Sequence, residues 1–135
     1  MLNLDRLAAQ KAQGIVDRAT EGHKAGEVDG LATKALGVLQ ENGVYAATLF
    51  LLSRSASAER EIAREVYRGL RELAAAVTGV PAPGDGPEEA LRYVSESIAG
   101  QLDTLLLVKQ VWEQTLIYVR YGAKARGVEH AVQGV

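Results

Sequence analysis

Ala63, Val66, Leu70, Leu73 and Val77 stand three, four, three and four residues apart, and that spacing leaves the chain few ways to fold. Residues at these intervals share a face only when about 3.6 residues make a turn, so the segment from about 58 to 77 is expected to be a helix lying along another helix. The same stepping recurs elsewhere. Leu4, Ala8, Ala12, Ile15 and Ala19 mark a first helix, with Leu7 and Val16 beside them and Asn3 placed to cap it. Leu31, Ala35, Val38 and Leu39 mark a second, beginning near Val28. Leu91, Val94, Ile98 and Leu102 mark another, and Leu105, Val108, Trp112, Leu116 and Val119 a long last one. No segment alternates apolar and polar residues over strand length. The expected fold class is therefore all-α, a compact bundle of about five or six helices with no sheet.

Breakers divide these helices. The polar run Glu21-Gly22-His23-Lys24-Ala25-Gly26 separates the first two, and Asn42-Gly43 stops the second, since glycine accepts the backbone conformation of a helix end. Residues 44–52 are apolar nearly all round, which predicts a central core helix covered on every side. Ser53, Ser55 and Ser57 each offer a cap for the helix over 58–77. Gly79-Val80-Pro81-Ala82-Pro83-Gly84-Asp85-Gly86 cannot be helix, whereas Pro87 suits a first helical position and Glu88 and Glu89 complement the positive end of the helix dipole. A bend is expected at Gly100 and a helix end near Gly127. Residues 1–127 thus read as one domain, with a Pro/Gly loop at 79–87 between two helical halves, and residues 128–135 as a flexible tail.

With 135 residues, 47% of them hydrophobic, the chain has enough apolar surface for one core. It has no cysteine, which excludes disulfides and thiolate metal sites and fits a reducing, cytoplasmic setting. The charged start Asn3-Leu4-Asp5-Arg6 lacks a signal-peptide pattern, and no run approaches the ~18 apolar residues of a membrane span, so no membrane partner is expected. Fifteen Lys and Arg against 17 Asp and Glu give a net charge of −2. Any contact with nucleic acid must therefore come from a local patch.

Catalytic chemistry is hard to find. His23 and His130 lie far apart, in a connection and in the tail, and read as solvated surface groups rather than metal ligands. The three serines have no adjacent base and sit where caps are needed. Glu88 and Glu89 fit a first turn better than a general acid and base. Gly84-Asp85-Gly86 lacks the Lys-Ser/Thr that makes a phosphate loop specific. The expectation is a protein with no catalytic residues, no metal, no cofactor and no small-molecule substrate.

Positive charge shows some arrangement. Lys109, Arg120 and Lys124 align on one side of the last helix, and Lys11 and Arg18 beside the apolar face of the first. Such stripes can grip phosphates, but charged stripes are the norm on exposed helices, and on sequence alone solvated flanks paired with Glu113, Asp17 and Glu21 are the favoured reading. Arg60, Arg64, Arg68 and Arg71 form a stripe on the helix over 58–77, next to Glu61, Glu65 and Glu72 at pairing distance along the helix. Trp112 is assigned to the core, since a Trp on a helix seam is more often buried than free to stack on a base, a question that Tyr118 also raises.

The stretch Leu31-Ala32-Thr33-Lys34-Ala35-Leu36-Gly37-Val38-Leu39-Gln40-Glu41-Asn42-Gly43-Val44-Tyr45-Ala46-Ala47-Thr48-Leu49-Phe50-Leu51-Leu52-Ser53-Arg54 resembles the small helical subunit of the type III-B (Cmr-type) CRISPR ribonucleoprotein. In that family a helix carrying a lysine runs into Asn-Gly, and a hydrophobic helix then ends in Phe-Leu followed by a basic residue. Arg120-Tyr121-Gly122-Ala123 is similar to the basic-aromatic-small pattern of the family's last helix. The resemblance covers roughly residues 28–54 and 103–126.

The resemblance implies a non-catalytic structural subunit in antiviral defence. Its partners would be the other subunits of the CRISPR effector complex, neighbouring copies of itself, guide RNA and target RNA. Side chains would neutralise backbone phosphates while base pairing supplies specificity. Matching positions nominate Lys34, Arg54 and Arg120 for RNA contact, and helical geometry adds Lys11, Arg18, Lys109 and Lys124. Arg60, Arg64, Glu65 and Arg68 are nominated as subunit contacts. A generic helical interaction module, the small subunit of another CRISPR effector type, and a small enzyme with an unrecognised helical pocket stay open as alternatives.

Overall fold

The computed structural model describes residues 3–81, 84 and 86–133. The backbone of Asn3 is extended and its side chain accepts a hydrogen bond from the Arg6 N–H at 3.1 Å, so the first helix, α1 (Leu4–Ala19), starts where its cap predicts. The helices that follow are α2 (Ala25–Asn42), α3 (Val44–Leu52), α4 (Ser57–Thr78), α5 (Pro87–Tyr93) and α6 (Leu102–Gln133). Among the described residues these make an all-α bundle of six helices without a strand.

Gly43 joins α2 to α3 directly. Its φ of 94° lies where a side chain would be strained, and its N–H closes α2 on the Leu39 carbonyl at 2.9 Å. Pro87 opens α5 as expected. One wider π turn, Val94–Ile98, then carries the chain toward α6. A Cβ on Gly100 would sit 2.9 Å from the Glu96 carbonyl oxygen, so the predicted bend needs a residue without one.

The 32-residue α6 is the axis of the bundle, packed along both α1 and α2, with α4 closing against α1 and α3 lying on α2 and α4. Trp112, Leu116, Ile15, Leu39, Leu70 and Leu73 are fully buried in one continuous core. Each predicted seam supplies it, although Val38, Val77, Leu91 and Leu105 stand at its margin and Leu102 is exposed. At one crossing a missing side chain sets the distance. A Cβ on Gly69 would lie 2.5 and 2.7 Å from two carbons of Ile15, bringing α4 close to α1.

Four expectations change. The helix α2 begins at Ala25 rather than Val28, because extended Lys24 serves as its N-cap and Gly26 sits in the first turn against no neighbour. α3 is not covered on every side: Val44, Ala47, Thr48 and Leu51 face inward, while Tyr45 and Leu49 are exposed. None of the three serines caps α4, whose N-cap is Ala56, and Ser53 Oγ instead donates to the Phe50 carbonyl oxygen. The hydroxyl of Thr78 meets the loop through the Val80 N–H and the Tyr93 hydroxyl. Most plainly, α6 does not end near Gly127 but continues to Gln133, so the tail over 128–133 is helical. Gly127 has no positive φ, and a Cβ there would meet that of Ala25 on α2 at an ordinary contact distance of 3.5 Å, so nothing at this position ends the helix. Ala82, Pro83 and Asp85 of the predicted loop, and Gly134 and Val135 of the predicted tail, lie outside the described residues.

Candidate nucleic-acid interface

Lys11 and Arg18, seven residues apart on α1, lean toward α4, with Arg18 still exposed. The Lys11 ammonium donates to Glu72, and Arg18 Nε to Glu65 Oε2 at 3.0 Å. Sequence reasoning had offered Asp17 and Glu21 as local partners; the actual ones lie about fifty and sixty residues away. The hydrogen bond from Lys11 holds the Glu72 carboxyl below its ordinary value, against a smaller opposing effect of partial burial, with Arg18 and Arg71 adding to the lowering. Asp17 pairs instead with Arg126 of α6, which also donates to the Thr20 hydroxyl at 3.2 Å.

On α6, Lys109 stands 3.5 Å from Glu113 one turn on, as its local pairing predicts. Arg120 turns toward α2, with Nε 3.4 Å from Asp29 Oδ1. That nitrogen is buried and makes no hydrogen bond of good geometry among the described residues, while its guanidinium carbon lies 5.6 Å from the Tyr121 ring centre. The Lys124 ammonium approaches the same ring at 5.6 Å and makes no ion pair among the described residues. Lys109, Arg120 and Lys124 therefore do not form one free stripe.

The two positions chosen by resemblance near α3 differ from each other. Arg54 caps its own helix: Nε donates to the Phe50 carbonyl at 3.0 Å, Nη2 to Ser53 Oγ at 3.0 Å, and Nη1 lies 3.4 Å from Glu59. Its guanidinium also covers the Phe50 ring at 4.1 Å. Lys34 is exposed at the edge of a groove of about 330 Å³ between α2 and α4, lined by Leu31, Ile62, Glu27 and Glu59, and has no ion pair among the described residues.

Of the residues nominated as subunit contacts, Arg60, Arg64 and Glu65 line a groove of about 580 Å³ at the junction of α4 with the α1–α2 connection. Arg68 pairs with Glu65 at 3.0 Å, an i,i+3 pair that forms as predicted. His23 closes the groove. Its side chain is only 13% exposed, with Nε2 2.9 Å from Glu61 and Nδ1 3.9 Å from Glu27, so it is a clasp between the connection and α4 and not a solvated group. His130 is exposed on α6.

A carboxylate meets the charge of Lys11, Arg18, Arg54, Lys109 and Arg120, and the pairs are spread over the α1–α4 seam, the end of α3, α6 itself and the α2–α6 seam. Lys34 and Lys124 are the nominated cations without such a partner among the described residues. Exposed pairs of this kind are worth about 0.2–1 kcal/mol each, so a phosphate can compete for them. Among the described residues no three His, Asp or Glu side chains come together as a metal site, and no helix is long and apolar enough to cross a membrane.

One further groove, of about 340 Å³, runs between α1 and α6, with Ala9, Ala12 and Gly122 as its floor and Tyr118 and Tyr121 as its wall. Tyr118 is held there by donating its hydroxyl proton to Asp5, a bond that raises its pKa. Comparison of the chain with protein-family models, curated proteins and solved structures finds no match in any of the three.

Proposed function

We propose that this chain is a non-catalytic helical subunit of a type III-B CRISPR ribonucleoprotein that touches guide or target RNA through backbone phosphates. The carrying observation is the run over residues 31–54, whose landmarks fall at structurally distinct points. Lys34 is exposed on α2, Asn42-Gly43 is the corner, Phe50-Leu51 is the end of α3, and Arg54 stacks on Phe50. Recognition would be independent of sequence, with Lys34 and Lys124 offering charge at once and the paired cations exchanging a carboxylate for a phosphate.

A second reading, a helical interaction module with no RNA role, is favoured by the ion pairing of five of the seven nominated cations. A tagged pull-down from the native cell, with protein and RNA identified, separates the two. A multi-subunit particle holding a short guide RNA is the expected result. Recovery of the chain without RNA, or with protein partners only, overturns the proposal in favour of the second reading.

A further inference from the structure

The groove between α1 and α6 is lined by residues outside the nominated contacts, yet it has the make-up of a small-molecule site. It measures about 340 Å³ and is mostly apolar, with a few polar groups converging on it. Ala9, Ala12 and Gly122 carry at most a methyl, so a flat group can lie close to both helices along this floor. Tyr118 and Tyr121 stand three residues apart on α6, which makes their side chains neighbours on one face. Tyr121 is 58% exposed. A ring left outside the core in this way offers a π face, and a flat heteroaromatic base stacks on such a face whatever its identity.

The polar groups nearby fit the rest of a nucleotide. The side-chain amide of Gln13, exposed at the edge of the groove, makes no hydrogen bond among the described residues, and it can both donate to and accept from the edge of a base. The Lys124 ammonium is 5.6 Å from the centre of the Tyr121 ring, near the outer limit of about 6 Å for such a contact, so it is free to swing to an anion. Arg126 lines the groove itself, and Asp17 and Thr20 take only two of the five N–H donors of its guanidinium. Lys124 and Arg126 lie about 4.5 and 7.5 Å beyond Tyr121 along the helix axis, within the reach of a single nucleotide.

Carboxylates limit the size of the ligand. Asp5 meets the Tyr118 hydroxyl at one end of the groove, and Asp17 meets Arg126 at the other. A nucleic-acid strand running through would bring phosphates onto both, whereas one nucleotide carries only the phosphate that Lys124 and Arg126 can hold. We infer that the α1–α6 groove binds a free nucleoside monophosphate, with its base stacked on the tyrosine wall and its phosphate held by Lys124 and Arg126. The site is open, so the affinity is modest, with a dissociation constant of about 10 µM to 1 mM. Binding needs neither guide RNA nor a partner subunit: the pull-down above can succeed or fail whatever the outcome here.

Isothermal titration calorimetry of the full chain with adenosine monophosphate tests it, with adenosine and ribose phosphate as the two halves of the ligand. The expected result is saturable binding of the monophosphate at one site, with each half binding at least about tenfold more weakly. Tyr121→Ala should weaken binding at least about fivefold, and Tyr121→Phe should keep it, since the ring and not the hydroxyl does the stacking. Both variants change an exposed side chain, and far-UV circular dichroism checks that the bundle is still folded. Lys124→Ala should weaken the monophosphate and leave adenosine unchanged. No binding at millimolar monophosphate, or binding indifferent to Tyr121→Ala, overturns the site. Ribose phosphate binding as well as the whole nucleotide would overturn the base slot. A short single-stranded RNA that binds through Tyr121 where the monophosphate does not would give the groove to RNA and overturn the free ligand.

Discussion

The indole N–H of Trp112, on α6, donates to the backbone carbonyl oxygen of Leu70, on α4, at 2.8 Å, with both residues fully buried. The bond fastens the two helices at the middle of the core and gives the one polar atom of the largest buried side chain a partner. Trp112→Phe keeps an aromatic ring but removes the donor and leaves a void. It should cost about 2 kcal/mol from the lost bond and the cavity together, against about 3–5 kcal/mol for Trp112→Ala. Urea unfolding followed by circular dichroism measures both. Trp112 is also the only tryptophan, so the parent's fluorescence should shift to the red in the same transition.

Gly69 and Gly37 are both helical glycines, yet they should answer an alanine in opposite ways. At Gly69 the new methyl collides with the fully buried Ile15, whose carbons lie 2.5 and 2.7 Å from the Cβ position. Overpacking costs about 1–3 kcal/mol, and the gain in helix propensity returns at most about 1, so Gly69→Ala should destabilise the fold. Nothing lies within 4 Å of a Cβ at Gly37, and Gly37→Ala should stabilise by about 0.5–1 kcal/mol. Thermal midpoints moving in the same direction for both would count against the close α1–α4 crossing.

Local chemistry made most of the fold legible. Asn3, the Asn42-Gly43 pair and Pro87 act on their own neighbours within a turn, and each marks a helix end that the structure keeps. Gly127 misled because a glycine can also sit inside a helix: its φ is not positive, and the helix continues past it beside Ala25. Residues 44–52 misled for a related reason. Apolarity all round says that a helix can be buried, whereas what stands over Tyr45 and Leu49 depends on the packing of the whole bundle. The site was less legible than the fold. The stripe of Lys11 and Arg18 is visible in the spacing, but Glu72 and Glu65 are brought to it by the α1–α4 crossing. His23 gave no signal at all, because its partner Glu61 is on another helix.

The Lys11–Glu72 pair should make stability depend on acid pH. Lys11 lowers the Glu72 pKa in the folded chain, so its contribution is fully present above the unfolded value and is lost as pH falls through the folded one, from about pH 5 downward. Both groups are partly exposed, so the pair is worth less than about 1 kcal/mol at neutral pH and less again at high salt. Glu72→Gln should therefore be slightly less stable than the parent at pH 7, with the gap closing as the pH falls through the lowered Glu72 pKa. Urea midpoints at neutral and acid pH measure this, and a gap that persists in acid would assign the loss to packing, not charge.

Ion pairing also ranks the nominated RNA contacts. A lysine that already holds a carboxylate must release it before it can neutralise a phosphate, so its net gain from binding is small, whereas one without a partner gains in full. Lys34 and Lys124 should then dominate, and Lys11, held by Glu72, should matter least. If the chain binds single-stranded RNA, each effective contact contributes about 0.7 to the slope of log K against log salt. Lys34→Ala and Lys124→Ala should each flatten that slope by about this amount and weaken binding alike on unrelated sequences. Lys11→Ala should leave the slope unchanged while lowering stability slightly. Affinity measured for the three variants from low to moderate salt decides the matter: a loss confined to Lys11→Ala would mean that phosphate displaces Glu72 and that α1, not α2 and α6, carries the contact.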